Sequence, residues 1–168
     1  MGARLAGALA GAVLLALAAP AAGTAPEHGL FLPGESLGGV RIGMTKDDVK
    51  SVWGRRFGVC RSCRHATWYF NYRPFAPEGT GVVFERGRVS YTFTLWQPKG
   101  WRTPDGLELG APAADVARIY GPLDRRNCDG GHYYALLDPG VATQTAYYVF
   151  RNRVWGFGLM ASEASPCL

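Results

Sequence analysis

Two cysteines spaced for redox work stand out first: Cys60-Arg61-Ser62-Cys63, with Arg55, Arg56 and Arg64 close by. Cations stabilise a thiolate, so this pattern could support thiol–disulfide exchange. Motifs of that kind open a helix, however, and here the helical pattern comes before the cysteines, with none clearly following. Outside the cytoplasm the commoner use of such a pair is a structural bridge. Cys128 and Cys167 complete the set, and four cysteines allow three pairings. We favour Cys60–Cys63 and Cys128–Cys167, the second tying the C-terminal tail to the later half of the chain. Haem attachment needs His directly after the second Cys, whereas residue 64 is Arg and the His follows at 65. A zinc site from Cys60, Cys63, Cys128 and His132 has suitable ligand types but requires thiols kept reduced. No metal and no cofactor is expected.

The other polar residues give no catalytic set, so the role expected is non-enzymatic, with no catalytic residue assigned. His28, His65 and His132 lack a sequence-apparent nucleophile and orienting partner. Asp129-Gly130-Gly131-His132 reads as a turn, and Asp47, Asp48 and Asp115 read as first-turn helix acids. Aromatics are the stronger candidates, since Trp and Tyr on a rigid sheet near Arg are the chemistry of binding hot spots. The candidate binding residues are Trp68, Tyr72, Trp96, Trp101, Tyr148 and Trp155, with Arg88 and Arg153. Gly156 and Gly158 alternate with Trp155, Phe157 and Leu159, leaving one face of that strand bare for close approach. The partner expected is another extracytoplasmic protein, with thiol–disulfide redox work at Cys60/Cys63 and cell-wall polysaccharide binding as the alternatives. Nucleic acid is not expected.

These residues must be positioned by a small exported domain. Residues 1–25 read as a secretory signal: Arg4, an uncharged apolar run over Leu5–Ala19, then Ala19-Pro20-Ala21 as a small-x-small cleavage site. The expected location is secreted, with no membrane span in the mature chain. The net charge of +5 is too modest to dictate a partner.

The remainder reads as an internal repeat. Arg41–Gly54 aligns with Glu108–Gly121 at an offset of 67, sharing Gly43/Gly110, Asp48/Asp115, Val49/Val116 and Gly54/Gly121. Thr45 and Asp48 form a capping box for the first helix, and Pro112 suits the first position of the second. The closing glycines are expected in the left-handed conformation. After each helix come a basic, Cys-bearing loop, an aromatic strand (67–72; 132–137) and a hairpin (81–84 with 88–96; 146–150 with 153–160). Tyr91, Phe93 and Leu95 alternate with Ser90, Thr92 and Thr94, the pattern of a strand buried on one face. The fold expected is therefore α+β: two tandem copies of a short helix followed by a three-stranded antiparallel meander, their sheets shared or side by side. The division is an extended leading segment over 26–39, unit 1 over 40–96, a linker over 97–106, and unit 2 with the C-terminal tail over 107–168.

Gly43-Met44-Thr45, with Val49, Gly54 and the strand Thr67-Trp68-Tyr69-Phe70, resembles the helix-plus-sheet unit of the β-lactamase inhibitory protein and the SmpA/OmlA outer-membrane assembly lipoproteins. The resemblance covers residues 38–96 well and 107–160 more weakly. It implies a tandem whose curved sheet offers a protein-binding face, with no enzymatic activity. Two features depart from it: Gly110-Ala111-Pro112 stands where Gly-Met-Thr would, and no Cys follows the signal to carry lipid.

Overall fold

The computed structural model describes residues 28–73, 78–96 and 100–167, with Tyr72 and Arg73 described by their backbone alone; the export signal read over 1–25 lies outside the described residues. Among these, eleven strands and two helices follow one another in the order β1 (Gly29–Leu32), β2 (Ser36–Leu37), α1 (Lys46–Trp53), β3 (Gly58–Cys60), β4 (Ala66–Arg73), β5 (Glu78–Glu85) and β6 (Arg88–Leu95). The remainder are β7 (Trp101–Arg102), α2 (Ala114–Tyr120), β8 (Asp124–Cys128), β9 (Tyr133–Pro139), β10 (Thr143–Phe150) and β11 (Arg153–Ala161).

The α+β class, with two tandem copies of a short helix followed by a three-stranded meander, is overturned. The chain is mostly β, and eight strands form one sheet in the order β3-β4-β5-β6-β11-β10-β9-β8. The misreading came from the basic, Cys-bearing stretches after each helix. Their charge and Gly depress strand propensity and read as loop, yet they pair as the two outermost strands, Gly58–Cys60 on β4 and Asp124–Cys128 on β9. Charged or very short strands suit an edge, where they discourage pairing with another chain. The sheet is closed at its centre by β6 and β11, antiparallel with Tyr91 opposite Met160 and Leu95 opposite Gly156.

A second, three-stranded sheet draws in the leading segment and the stretch after Gly100: β1 pairs antiparallel with β2 and parallel with β7. Phe31, Leu37, Trp101 and Leu107 from this region are buried. Together with Val49 and Trp53 of α1 and Val116 of α2, they cover one face of the large sheet, packing with Trp68, Phe70, Val82, Tyr147, Phe157 and Leu159.

The helices begin differently. Thr45 caps α1 through the expected box: its Oγ1 accepts from the Asp48 N–H at 3.2 Å and its own N–H donates to Asp48 Oδ2 at 2.8 Å. α2 starts at Ala114 with Ala113 as a cap that makes no side-chain hydrogen bond, so Pro112 precedes the helix and does not occupy its first turn. Gly54 and Gly121 end the helices at positive φ, 80° and 81°, a region open to glycine, but with ψ of −173° in both and not the left-handed helical value. Both hairpins turn on two residues of positive φ, Arg86-Gly87 and Arg151-Asn152, the geometry that matches strand twist.

The alternation in β6 has a different meaning from the one expected. Thr92 and Thr94 are as buried as Tyr91, Phe93 and Leu95. They stand opposite Val82, Phe157 and Leu159, on the helix-covered face. The aromatic row faces the other way, away from the helices, and belongs to a second apolar cluster with Tyr133, Tyr148 and Met160. The polar row could be buried because Thr hydroxyls bond backbone: Thr92 Oγ1 donates to the Gly81 carbonyl at 3.2 Å.

Candidate binding groove

On that second face the strands carry no helix, and a groove of about 800 Å³ runs along it. Its floor is Tyr69 of β4, Val83 of β5, Tyr91, Phe93 and Leu95 of β6, and Trp155 of β11, with Tyr133 of β9 beyond. One wall is the loop Cys63-Arg64-His65; the other is the C-terminal tail, Glu163, Ala164, Ser165 and Cys167. Each wall carries a disulfide, Cys60–Cys63 and Cys128–Cys167, the favoured pairing. The first bridge lies in the connection from β3 to β4, at no helix start.

Two β-bulges bring polar and aromatic side chains to this groove. Val83 stands opposite Tyr91 while Phe84 stands opposite Val89, leaving Ser90 as the extra residue. Likewise Tyr148 pairs with Gly156 and Val149 with Val154, leaving Trp155 extra. A bulge re-aims the inserted side chain and is common beside functional sites. Ser90 Oγ donates to the Val83 carbonyl at 3.3 Å. At the rim His65 Nδ1 lies 3.5 Å from Glu85 Oε1.

A second basin of about 710 Å³ continues from the first, sharing Tyr133 and Trp155. Trp96, Phe150 and the cationic Arg151 line it, the Arg151 guanidinium 5.1 Å above the Phe150 ring. Trp96 is 39% exposed. Its backbone holds a φ of 41°, and its N–H donates to the Trp155 carbonyl at 2.6 Å. A bulky residue in the left-handed region is strained, and such strain clusters at functional sites.

Of the candidate binding residues, Trp96 and Trp155 sit together at this junction. Trp68 and Trp101 do not: both pack in the helix-side core, at 6% and 1% exposure. Trp68 stacks on Phe57 with ring centroids 3.9 Å apart. Tyr148 is on the open face but fully buried; its hydroxyl meets that of Tyr91 and donates to the Pro166 carbonyl at 2.6 Å. Burial pushes both phenols well above the usual tyrosine range. Arg88 and Arg153 both hold turns, and Arg153 also lines the second basin. Each Nη1 donates to a glycine carbonyl in the turn before a helix, Arg88 to Gly43 at 2.9 Å and Arg153 to Gly110 at 2.8 Å. The Tyr72 side chain lies outside those described. The bare strip over Gly156 and Gly158 is not open either, since a Cβ at Gly158 would lie 2.9 Å from Tyr148 Cε2 and one at Gly156 2.7 Å from Leu95 Cδ2.

Sequence reading missed Tyr69, Ser90, Phe93 and Tyr133 as groove residues. The alternation of Tyr91 and Phe93 is visible in the sequence, but it does not say which face the helices cover, and each bulge shifts parity by one. Among the described residues no group of three or more His, Cys, Asp or Glu is placed to hold a metal, and no helix is long and apolar enough to cross a membrane. The groove can bind; its rings supply area and its rim supplies both signs of charge.

The chain matches no known family model and no curated protein. Among solved structures it is similar to a DUF4309 family protein from Bacillus subtilis, at 16% identity and TM-score 0.57, covering 76% of this chain and 88% of that one. It is also similar to part of an extracellular protein containing an SCP domain from Bacillus anthracis, at 15% identity and TM-score 0.52, covering 73% of this chain and 44% of that one. At such identities the likeness is one of fold.

Proposed function

We propose that this is an exported, non-enzymatic protein that binds another extracytoplasmic protein in the aromatic groove on the open face of its sheet. The observation that carries the reading is the groove itself, about 800 Å³, floored by rings and walled on both sides by disulfide-pinned segments. Walls fixed before binding lower the entropy lost on association, and Trp and Tyr supply contact area at little conformational cost. The two bridges and the fold shared with a protein described as extracellular support the location.

The redox alternative gains nothing from its setting, because the Cys60–Cys63 bridge sits between strands, where no helix dipole would stabilise a thiolate. The resemblance to the inhibitory-protein and assembly-lipoprotein units rests, as before, on Gly43-Met44-Thr45 and the strand after it, and agrees with protein binding.

The test is capture of partners from the producing cell's extracytoplasmic fraction with the wild-type chain and with Trp155→Ala and Trp96→Ala. The reading expects one or more partners that either variant loses. Partners retained by both variants would move the binding surface elsewhere.

A further inference from the structure

The open face already holds a peptide: its own C-terminal tail. Beyond Ala161 the chain folds back over the β9–β11 side, its Ala164 and Cys167 packed on the cluster of Tyr133, Tyr148 and Met160. The Pro166 carbonyl accepts the Tyr148 hydroxyl at 2.6 Å, and the Cys128–Cys167 bridge fixes the end. The small side chains of Ala164 and Cys167 lie against rings and a phenol satisfies the carbonyl of a proline, chemistry shared with aromatic grooves that take proline-containing segments. Where the tail stops, the aromatic floor does not: the half-buried Tyr69 and Trp155 continue it toward the Cys60–Cys63 loop, with Phe93 buried beneath them.

From this we infer that the uncovered part of the groove receives a small-residue, proline-containing polypeptide segment, laid beside the tail and read as the tail is read. The inference rests on the protein-binding reading and names the partner's chemistry. Proline keeps the entropic loss of ordering such a segment low, and the groove's length across three strands, β4 to β6, suits an extended chain better than one compact ring.

The experiment titrates the disulfide-bonded chain with synthetic heptapeptides carrying a central proline among Ala and Ser, with the same peptides having proline replaced by glycine, and with soluble cell-wall oligosaccharides. Tryptophan fluorescence and amide chemical shifts report binding, and circular dichroism confirms that each variant folds. The expected result is saturable binding of the proline peptides, with shifts at Tyr69, Ser90 and Trp155. Glycine replacement or Trp155→Ala should weaken it about tenfold, Trp155→Phe less. Peptides that fail while a captured partner still depends on Trp155 would overturn this inference alone. Oligosaccharides that saturate the groove while every peptide fails would overturn it together with the protein-binding reading.

Discussion

Tyr91 and Tyr148 reach across the strand between them and join their hydroxyls over Gly158. β6 and β10 both flank β11, and only a residue without a side chain lets the two rings meet above it. A Cβ on Gly158 would stand 3.0 Å from the Tyr148 hydroxyl and 3.1 Å from Tyr91 Cε2. Gly158→Ala is therefore expected to destabilise by about 1–3 kcal/mol, the usual consequence of overpacking. Chemical denaturation checks it; a neutral or stabilising effect would show that the rings yield freely.

Removing the Tyr148 hydroxyl tests the latch on the tail. Tyr148→Phe keeps the ring and loses both the bond to Tyr91 and the one to Pro166. A buried polar group left without its partner costs about 1–3 kcal/mol. Amide exchange should rise in residues 162–167 before it rises in the strands. Unchanged protection there would separate the tail's order from this hydroxyl.

The same pair makes an alkaline prediction. Burial raises both phenol pKa values, so their contribution to stability is full below the unfolded tyrosine pKa of about 10 and falls as pH climbs past it. Tyrosinate absorbance should show Tyr91 and Tyr148 ionising only with unfolding, in one cooperative step. Titration of every tyrosine in the folded state would contradict this.

At the acid end the first helix is the sensitive element. Hydrogen bonds from Thr45 hold the Asp48 carboxyl below its usual value. Its contribution is present above the unfolded Asp pKa of about 4 and is lost as pH falls through the folded value. Asp48→Asn should flatten that part of the stability profile, measured by urea unfolding across the acid range. An unchanged profile would mean that the capping box does not set acid sensitivity.

How much of this was legible follows from local against long-range physics. The cysteine pairing is one favoured choice among three, and Cys128–Cys167 spans 39 residues, whereas the Thr45/Asp48 cap and the two-residue turns at 86–87 and 151–152 are sequence-near and were readable. The outer strands were not, because Gly58–Cys60 and Asp124–Cys128 owe their strand state to a neighbour and not to their own residues. Nor was the face of the aromatics. Trp68 and Tyr69 are adjacent in sequence yet look to opposite sides, and which side the helices cover is settled by packing. Arg88 misled for a related reason: it resembles a rim cation, but its guanidinium is spent on the Gly43 carbonyl, whereas Arg153 bonds the Gly110 carbonyl and still lines the second basin. Arg88→Ala should accordingly lower stability by about 1 kcal/mol, as for a lost hydrogen bond, and leave partner capture unchanged.

The central claim is that the open face, and not the helix-covered one, meets the partner. Photo-crosslinking side chains placed singly at His65 and Glu163 on the two groove walls, and at Arg118 on the exposed side of α2, test it most directly in the producing cell. Adducts with a common partner from positions 65 and 163, and none from 118, are the predicted result. An adduct from 118 with silence at both walls would contradict it.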